Sequence, residues 1–106
     1  MMKDCFWGYE LLDCSTLLKT LNRFVEAAGD DPRIGPVHVS LFTALLLSER
    51  IPGRELVLRR RTLMRLSGIR SSATYYRCLN VLHTAGYVNY SPSQDPFGGS
   101  TVTINR

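Results

Sequence analysis

The sequence predicts a mainly α fold with a small β-hairpin near its C-terminal end (α+β) and one extra helix in front. Apolar residues recur at helical spacing in four segments before residue 86, and β-rich runs with alternating polarity follow it. Clusters of Gly, Pro and Asp separate several of these segments. A chain of 106 residues holds one domain with a modest core. We place this domain at residues 34–106 and an N-terminal extension at residues 1–33.

The extension contains an amphipathic helix in the segment STLLKTLNRFVEAAG. Ser15 is the predicted N-cap and Gly29 the predicted stop. One face of the helix carries an apolar stripe, formed by Leu17, Leu18, Leu21, Phe24, Val25 and Ala28. The breaker-rich linker DDPRIGP follows, and its Pro36 suits the first turn of a second helix.

The second helix, PVHVSLFTALLLSER, is apolar on most of its circumference. A helix of this kind has to be covered on more than one side. The cover can come from the first helix, from a second subunit, or from both. We expect a homodimer through the N-terminal helices, and mutual cover of the two helices within one chain is the alternative.

A short strand at residues 56–58 precedes two helices that are joined by a tight turn. In RRTLMRLSG, Leu63 and Leu66 share a face and Gly68 is the predicted C-cap. The next helix, SSATYYRCLNVLHTAG, begins with Ser71 as N-cap and ends at a second glycine. Two helices separated by about three residues that include a glycine are typical of a helix-turn-helix. Beyond them, YVNYS and STVTIN flank the turn-rich loop PSQDPFGG and predict a hairpin.

The helix after the turn has two different faces. At about 100° per residue, its core face comprises Tyr75, Cys78, Leu79 and Leu82. The nearly opposite face comprises Ala73, Tyr76, Arg77 and Asn80. The pattern therefore predicts that the adjacent tyrosines point in different directions, with Tyr75 buried and Tyr76 exposed.

Charge is distributed unevenly between the two halves of the chain. Residues 1–49 hold four basic and seven acidic residues, whereas residues 50–106 hold nine arginines, no lysine and two acidic residues. An asymmetry of this kind suggests a polyanionic partner for the second half. A solvated arginine-rich surface with no partner is the alternative interpretation.

The stretch LMRLSGIRSSATYYRCLNVLHTAGYV, within this order of elements, resembles the winged helix-turn-helix domains of bacterial transcription regulators. The pattern L-A-x-L-x-G-V of that family is matched from Leu63 to Ile69, and S-x-x-T-V-x-R-x-L-x-x-L-x-x-x-G-x-I is matched from Ser71 to Val88. The segment from Tyr90 to Ser100 is similar to the wing Y-x-P-S-x-x-P-F-x-G-S of small bacterial proteins.

The resemblance implies sequence-specific binding of double-stranded DNA by a small bacterial transcriptional regulator, with residues 71–85 as the recognition helix in the major groove. The expected base-reading residues are Ala73, Tyr76, Arg77 and Asn80. The expected phosphate contacts are Arg59, Arg60, Arg61, Arg65, Arg70, Ser71 and Ser72.

Two features of the sequence depart from the pattern of this family. Tyr75 replaces the usual valine, and the wing contains no lysine or arginine. The lack of basic residues in the wing favours the alternative function, a winged-helix module that binds another protein without reading DNA.

Other kinds of function find little support in the sequence. Phosphate-binding loops, zinc-protease motifs and nucleophile elbows are absent, so we expect neither an enzyme nor a cofactor. His38 and His83 lack neighbouring ligands at metal-binding spacing, so we expect no metal site. We find no secretion signal and no membrane span, and we expect a cytoplasmic protein with reduced cysteines.

Overall fold

The computed structural model describes residues 14–49, 54–93 and 99–105, with the side chain of Cys14 left out. These residues form four helices and three short strands in the order α1 (Cys14–Gly29), α2 (Pro36–Ser48), β1 (Leu56–Val57), α3 (Arg60–Ser67), α4 (Ser72–Thr84), β2 (Val88–Ser91) and β3 (Thr101–Ile104). The predicted α+β class, mainly helical with a small β component, is confirmed at this level. The recognition helix expected at residues 71–85 corresponds to α4 and its two capping residues.

The three strands form one antiparallel sheet in the order β1-β3-β2. The expected hairpin pairs Val88 with Ile104 at one end and Ser91 with Thr101 at the other. On the other edge of β3, β1 pairs Leu56 with Val102. The sequence predicted the hairpin and the short strand as separate features, and their pairing turns the hairpin into a three-stranded sheet.

The core lies between α2, α3, α4 and the sheet, and α1 packs on α2. Its fully buried side chains include Leu41, Phe42, Leu45, Leu63, Tyr75, Leu79, Leu82, Val88 and Val102. From α1, Phe24 stacks on Phe42 with ring centroids 3.9 Å apart and meets Tyr87 edge to face at 4.9 Å. The Tyr87 hydroxyl also donates to an Asp31 carboxylate oxygen at 3.2 Å, so the linker after α1 is held as well.

These contacts decide one of the questions that the sequence left open. The buried face of α2 is covered by α1, α3 and α4 of the same chain. A second subunit is therefore not required to cover this face, although Leu47 of α2 remains 46% exposed. Apolar side chains nevertheless remain exposed on α1, where Leu18 and Val25 lie two turns apart on one face.

The predicted helix ends that fall within the described residues are mostly confirmed. Pro36 occupies the first turn of α2, and the Ser71 hydroxyl accepts a hydrogen bond from the Thr74 amide at 3.4 Å. Gly68 ends α3 with φ of 78°, a left-handed conformation that favours glycine. Ser15 is an exception, because α1 already includes Cys14 and Ser15 lies inside its first turn.

Leu66 is a second exception, since it was expected to share the core face of α3 with Leu63. Leu63 is buried and Leu66 is 52% exposed. The second core position of α3 is Ser67, whose hydroxyl donates to the Leu63 carbonyl at 2.6 Å. At about 100° per residue, Leu63 and Ser67 lie on either side of the line that faces the core, and Leu66 is rotated away from it.

Candidate nucleic-acid interface

The helix α4 presents its predicted polar face to solvent. Ala73, Tyr76, Arg77 and Asn80 are all exposed, whereas Tyr75, Cys78, Leu79 and Leu82 are buried on the opposite side. The two adjacent tyrosines differ most clearly, with 1% of Tyr75 and 39% of Tyr76 exposed. The predicted rotation of this helix is therefore confirmed, and the four expected base-reading side chains share one accessible face.

Both ends of α4 are fixed to the rest of the domain. Ser71 caps the first turn, and Gly86, with φ of 89°, turns the chain after the last one. The ring nitrogen Nδ1 of His83 then accepts a hydrogen bond from the Tyr90 amide in β2 at 3.1 Å. Because its buried side also packs into the core, α4 holds its outer face in a defined orientation.

A surface cleft joins α4 to the start of α3. Its volume is about 400 Å³, and it is lined by Leu58, Arg59, Arg60, Arg61, Tyr75, Tyr76 and Ser100. The cleft places three of the expected phosphate-binding arginines beside Tyr76, an expected base-reading residue. The two expected sets of residues therefore meet at this position, although they are separated along the chain.

Among the described residues, no acidic side chain pairs with the arginines of this region. Within residues 54–93 and 99–105, no ion pair involves Arg59, Arg60, Arg61, Arg65, Arg70 or Arg77. Elsewhere Arg33 pairs with Asp31 at 2.9 Å, and the hydrogen bonds from Arg33 lower the pKa of Asp31 to about 2. The positive charge on α3 and α4 thus remains available to an outside partner.

The start of α3 is electrostatically unfavourable by itself. Arg59 is the N-cap, Arg60 and Arg61 follow, and the first turn has neither an acidic residue nor a side-chain cap. The amino end of a helix carries a partial positive charge, so each cation there costs about 0.3–1 kcal/mol when no anion is present. The amino end of α3 is therefore a more favourable place for an anion than the amino end of a helix that has an acidic residue or a side-chain cap.

Tyr75 has a hydroxyl whose surroundings the sequence did not predict. Its ring fills the core as predicted, but its buried hydroxyl has no hydrogen-bond partner among the described residues. Burial raises the pKa of Tyr75 to about 12, so the hydroxyl keeps its proton at neutral pH. The sequence offered one signal of this, because Tyr75 places a polar tip where the resembling family has an apolar valine.

The remaining expected contacts are exposed but do not line the cleft. Arg65 lies in the last turn of α3, where a cation also complements the negative end of the helix. Arg70 lies in the turn between the helices, and Ser71 and Ser72 begin α4. These four side chains therefore extend the arginine-rich surface away from the cleft.

Other chemical groups in the described part of the chain do not form a second site. Cys78 is a free, buried thiol whose pKa is raised by burial, as expected for a small core residue. No cluster of three potential metal ligands occurs among the described residues. The helices described here include none that is long and apolar enough to cross a membrane.

Comparisons with protein-family models, with curated proteins and with solved structures give no match to this chain.

Proposed function

We propose that this protein is a sequence-specific binder of double-stranded DNA with a winged helix-turn-helix fold, acting as a small bacterial transcriptional regulator in the cytoplasm. In this proposal α3 and α4 are the helix-turn-helix, the β2–β3 hairpin is the wing, and α4 enters the major groove. The observation that carries the proposal is that Tyr76, on the exposed face of α4, shares a cleft with three arginines at the start of α3 that form no ion pair with a described residue.

The outer face of α4 has the chemistry needed to read bases. An arginine such as Arg77 can donate two hydrogen bonds to a guanine, and an asparagine such as Asn80 can pair with an adenine. Ala73 is small enough for close approach or for contact with a thymine methyl group. Tyr76 can pack on a sugar or on a base edge. We assign base reading to these four side chains.

We assign phosphate binding to the arginine-rich surface around α4. Arg59, Arg60 and Arg61 lie on one side, and Arg65 and Arg70 lie around the turn. Ser71 and Ser72 begin α4, where backbone amides favour an anion. Contacts of this kind supply affinity and fix the register, and they do not select the sequence.

We further propose a homodimer through the N-terminal helices. Support comes from Leu18, of which 60% is exposed, and from Val25 on the same face of α1. In a dimer of this kind the two recognition helices would read half-sites about one helical turn, roughly 34 Å, apart. Light scattering at high micromolar concentration tests this part, and a monomer there would contradict it.

Selection from a random duplex library tests the main proposal. We expect the wild-type protein to enrich one sequence motif. Arg77→Ala should relax the preference at one base pair by about 1–3 kcal/mol, with the fold intact. Arg23→Ala, on the exposed side of α1, is the matched control and should preserve the motif. Enrichment of no motif would contradict sequence-specific binding.

A protein-binding module is the second candidate function. It is favoured by the lack of basic residues in the wing and by two exposed apolar side chains, Val57 at 58% and Leu66 at 52%. A protein partner would cover such side chains, whereas a DNA partner would contact the arginines. Under this alternative, Leu66→Ser should weaken partner binding and duplex DNA should not bind even at low salt.

A further inference from the structure

We infer that the cleft between α3 and Tyr75 is a binding pocket for a single phosphate group, with the Tyr75 hydroxyl as a hydrogen-bond donor at its floor. Where the phosphate belongs to a DNA backbone, this inference rests on the proposed function and deepens it. Where the phosphate belongs to a small phosphorylated molecule, the pocket is a separate site beside the DNA surface.

The first line of support is the charge of the lining. Three of the seven described residues that line the cleft are arginines, and none of these seven is acidic. Arg59, Arg60 and Arg61 are also the N-cap and first residues of α3, so the positive end of that helix adds to their charge. An oxyanion would accept hydrogen bonds from guanidinium groups there, which bind phosphate in a fixed two-pronged geometry.

The second line of support is independent of the helix end. Tyr75 is 1% exposed, it lines the cleft, and its hydroxyl has no partner among the described residues. A buried polar group without a hydrogen bond is costly, and most such groups in native proteins have a partner. Arg60 and Tyr75 line the same cleft.

The protonation state of Tyr75 fits the role of a donor. Burial is the main cause that raises its pKa to about 12, and the neighbouring Tyr76 and Tyr90 contribute further. At neutral pH the hydroxyl is therefore neutral, and it can donate its proton to an anion without adding negative charge to the pocket. The ring of Tyr76 packs edge to face against the ring of Tyr75, with the ring centroids 5.1 Å apart, and it also lines the cleft.

Calorimetric titration with inorganic phosphate at constant ionic strength tests the pocket. We expect the wild-type protein to bind one phosphate per chain, with chloride as the background anion. Tyr75→Phe removes only the hydroxyl and should weaken phosphate binding about tenfold, as expected for a lost hydrogen bond to a charged group. Tyr87→Phe is the matched control, since its hydroxyl bonds Asp31 outside the cleft, and it should bind phosphate normally.

A second variant tests whether reduced phosphate binding comes from the pocket and not from unfolding of the protein. Arg61→Gln keeps a long polar side chain at the rim and should also weaken phosphate binding, and thermal melting of each variant should be cooperative. The inference is overturned if the wild-type protein shows no saturable phosphate binding, or if Tyr75→Phe and Tyr87→Phe bind phosphate equally well.

Binding of duplex DNA distinguishes the two sources of phosphate. If a backbone phosphate occupies the pocket, Tyr75→Phe should weaken duplex binding by a similar factor, and DNA should displace inorganic phosphate. If the occupant is a small phosphorylated molecule, Tyr75→Phe should leave duplex affinity unchanged, and inorganic phosphate should bind the DNA complex. If phosphate binds but no duplex does at low salt, the proposed function fails and the pocket stands.

Discussion

The first turns of α2 and α3 begin alike in the backbone and differ in their side chains. Both follow an N-cap residue in an extended conformation, Gly35 and Arg59. The start of α2 is completed from within, because Pro36 has no amide to satisfy and the Nδ1 atom of His38 accepts from the Gly35 amide at 2.9 Å. The start of α3 instead carries consecutive arginines at its positive end.

This difference separates a helix start whose polar groups are satisfied within the chain from one that, in the proposed function, contacts DNA phosphates. Side chains at the start of α2 satisfy local needs, so changing them should reduce stability. Side chains at the start of α3 add positive charge where the helix already has it, so changing them should reduce binding and leave stability equal or higher. Local rules of stability tend to be broken where a protein has a functional site.

The largest effect on stability is expected from the two adjacent tyrosines of α4. One ring is buried in the core, and the other is proposed to contact DNA. Tyr75→Ala removes a ring that is 1% exposed and should destabilise the fold by about 3–5 kcal/mol through the cavity that it leaves. Tyr76→Ala loses one edge-to-face contact and should cost about 1 kcal/mol or less, while weakening DNA binding. Denaturant melts and a gel shift measure both variants. If Tyr76→Ala unfolds the protein and Tyr75→Ala does not, α4 is rotated from its assigned orientation.

A smaller effect is expected from removing the side chain that completes α2. His38→Ala deletes the acceptor of the Gly35 amide and should destabilise the protein by about 0.5–1.5 kcal/mol, the usual contribution of one hydrogen bond. DNA affinity should not change, because His38 lies outside the arginine-rich surface. A loss of DNA affinity without a loss of stability would contradict the assignment of a structural role to the start of α2 and a binding role to the start of α3.

The opposite sign is expected at the start of α3. Arg60→Glu places an acidic residue in the first turn of the helix and should stabilise the protein by about 0.3–1 kcal/mol, because the charge then complements the helix dipole. The same change should strongly weaken DNA binding. Arg23→Glu makes an equal change in net charge within α1 and serves as the control for both measurements. Destabilisation by Arg60→Glu would show that the arginine supports the fold.

The smallest effect concerns the ion pair that holds the linker after α1. Hydrogen bonds from the side chain and backbone of Arg33 lower the pKa of Asp31 to about 2, below the value of about 3.9 in an unfolded chain. The stabilisation by ionised Asp31 is therefore complete above about pH 4 and is lost as the pH falls towards 2. The stability difference between the wild-type protein and Asp31→Asn should shrink over this range in acid-dependent melts. A difference that stays constant would exclude this role of the carboxylate.

Much of the local structure could be predicted from the sequence because it depends on neighbouring residues. Pro36 predicted the start of α2, Ser71 and Gly68 predicted the ends of helices, and the spacing of Tyr75 and Tyr76 predicted the orientation of α4. Each of these signals acts within about one helical turn. The orientation of a single helix then follows from its apolar spacing.

Features that depend on long-range contact could not be predicted in this way. The pairing of β1 with β3 joins residues 56–57 to residues 101–102, and no local pattern determines that register. The exposure of Leu66 depends on which side of α3 meets α2, and Ser67 fills the place that an apolar pattern would assign to leucine. The cleft that joins Arg59–Arg61 to Tyr76 likewise exists only once α3 and α4 are both packed on α2.

The salt dependence of duplex binding is the sharpest test of whether the arginine-rich surface binds DNA. If the five arginines assigned to phosphate binding each contact one phosphate, the logarithm of the association constant should fall with the logarithm of salt at a slope of about −4.5. In the double variant Arg60→Ala/Arg61→Ala the slope should become shallower by about 2, because each lost contact removes about 0.9. Arg23→Ala should keep the wild-type slope. A wild-type slope near zero, or a slope that the double variant leaves unchanged, would contradict DNA binding by this surface.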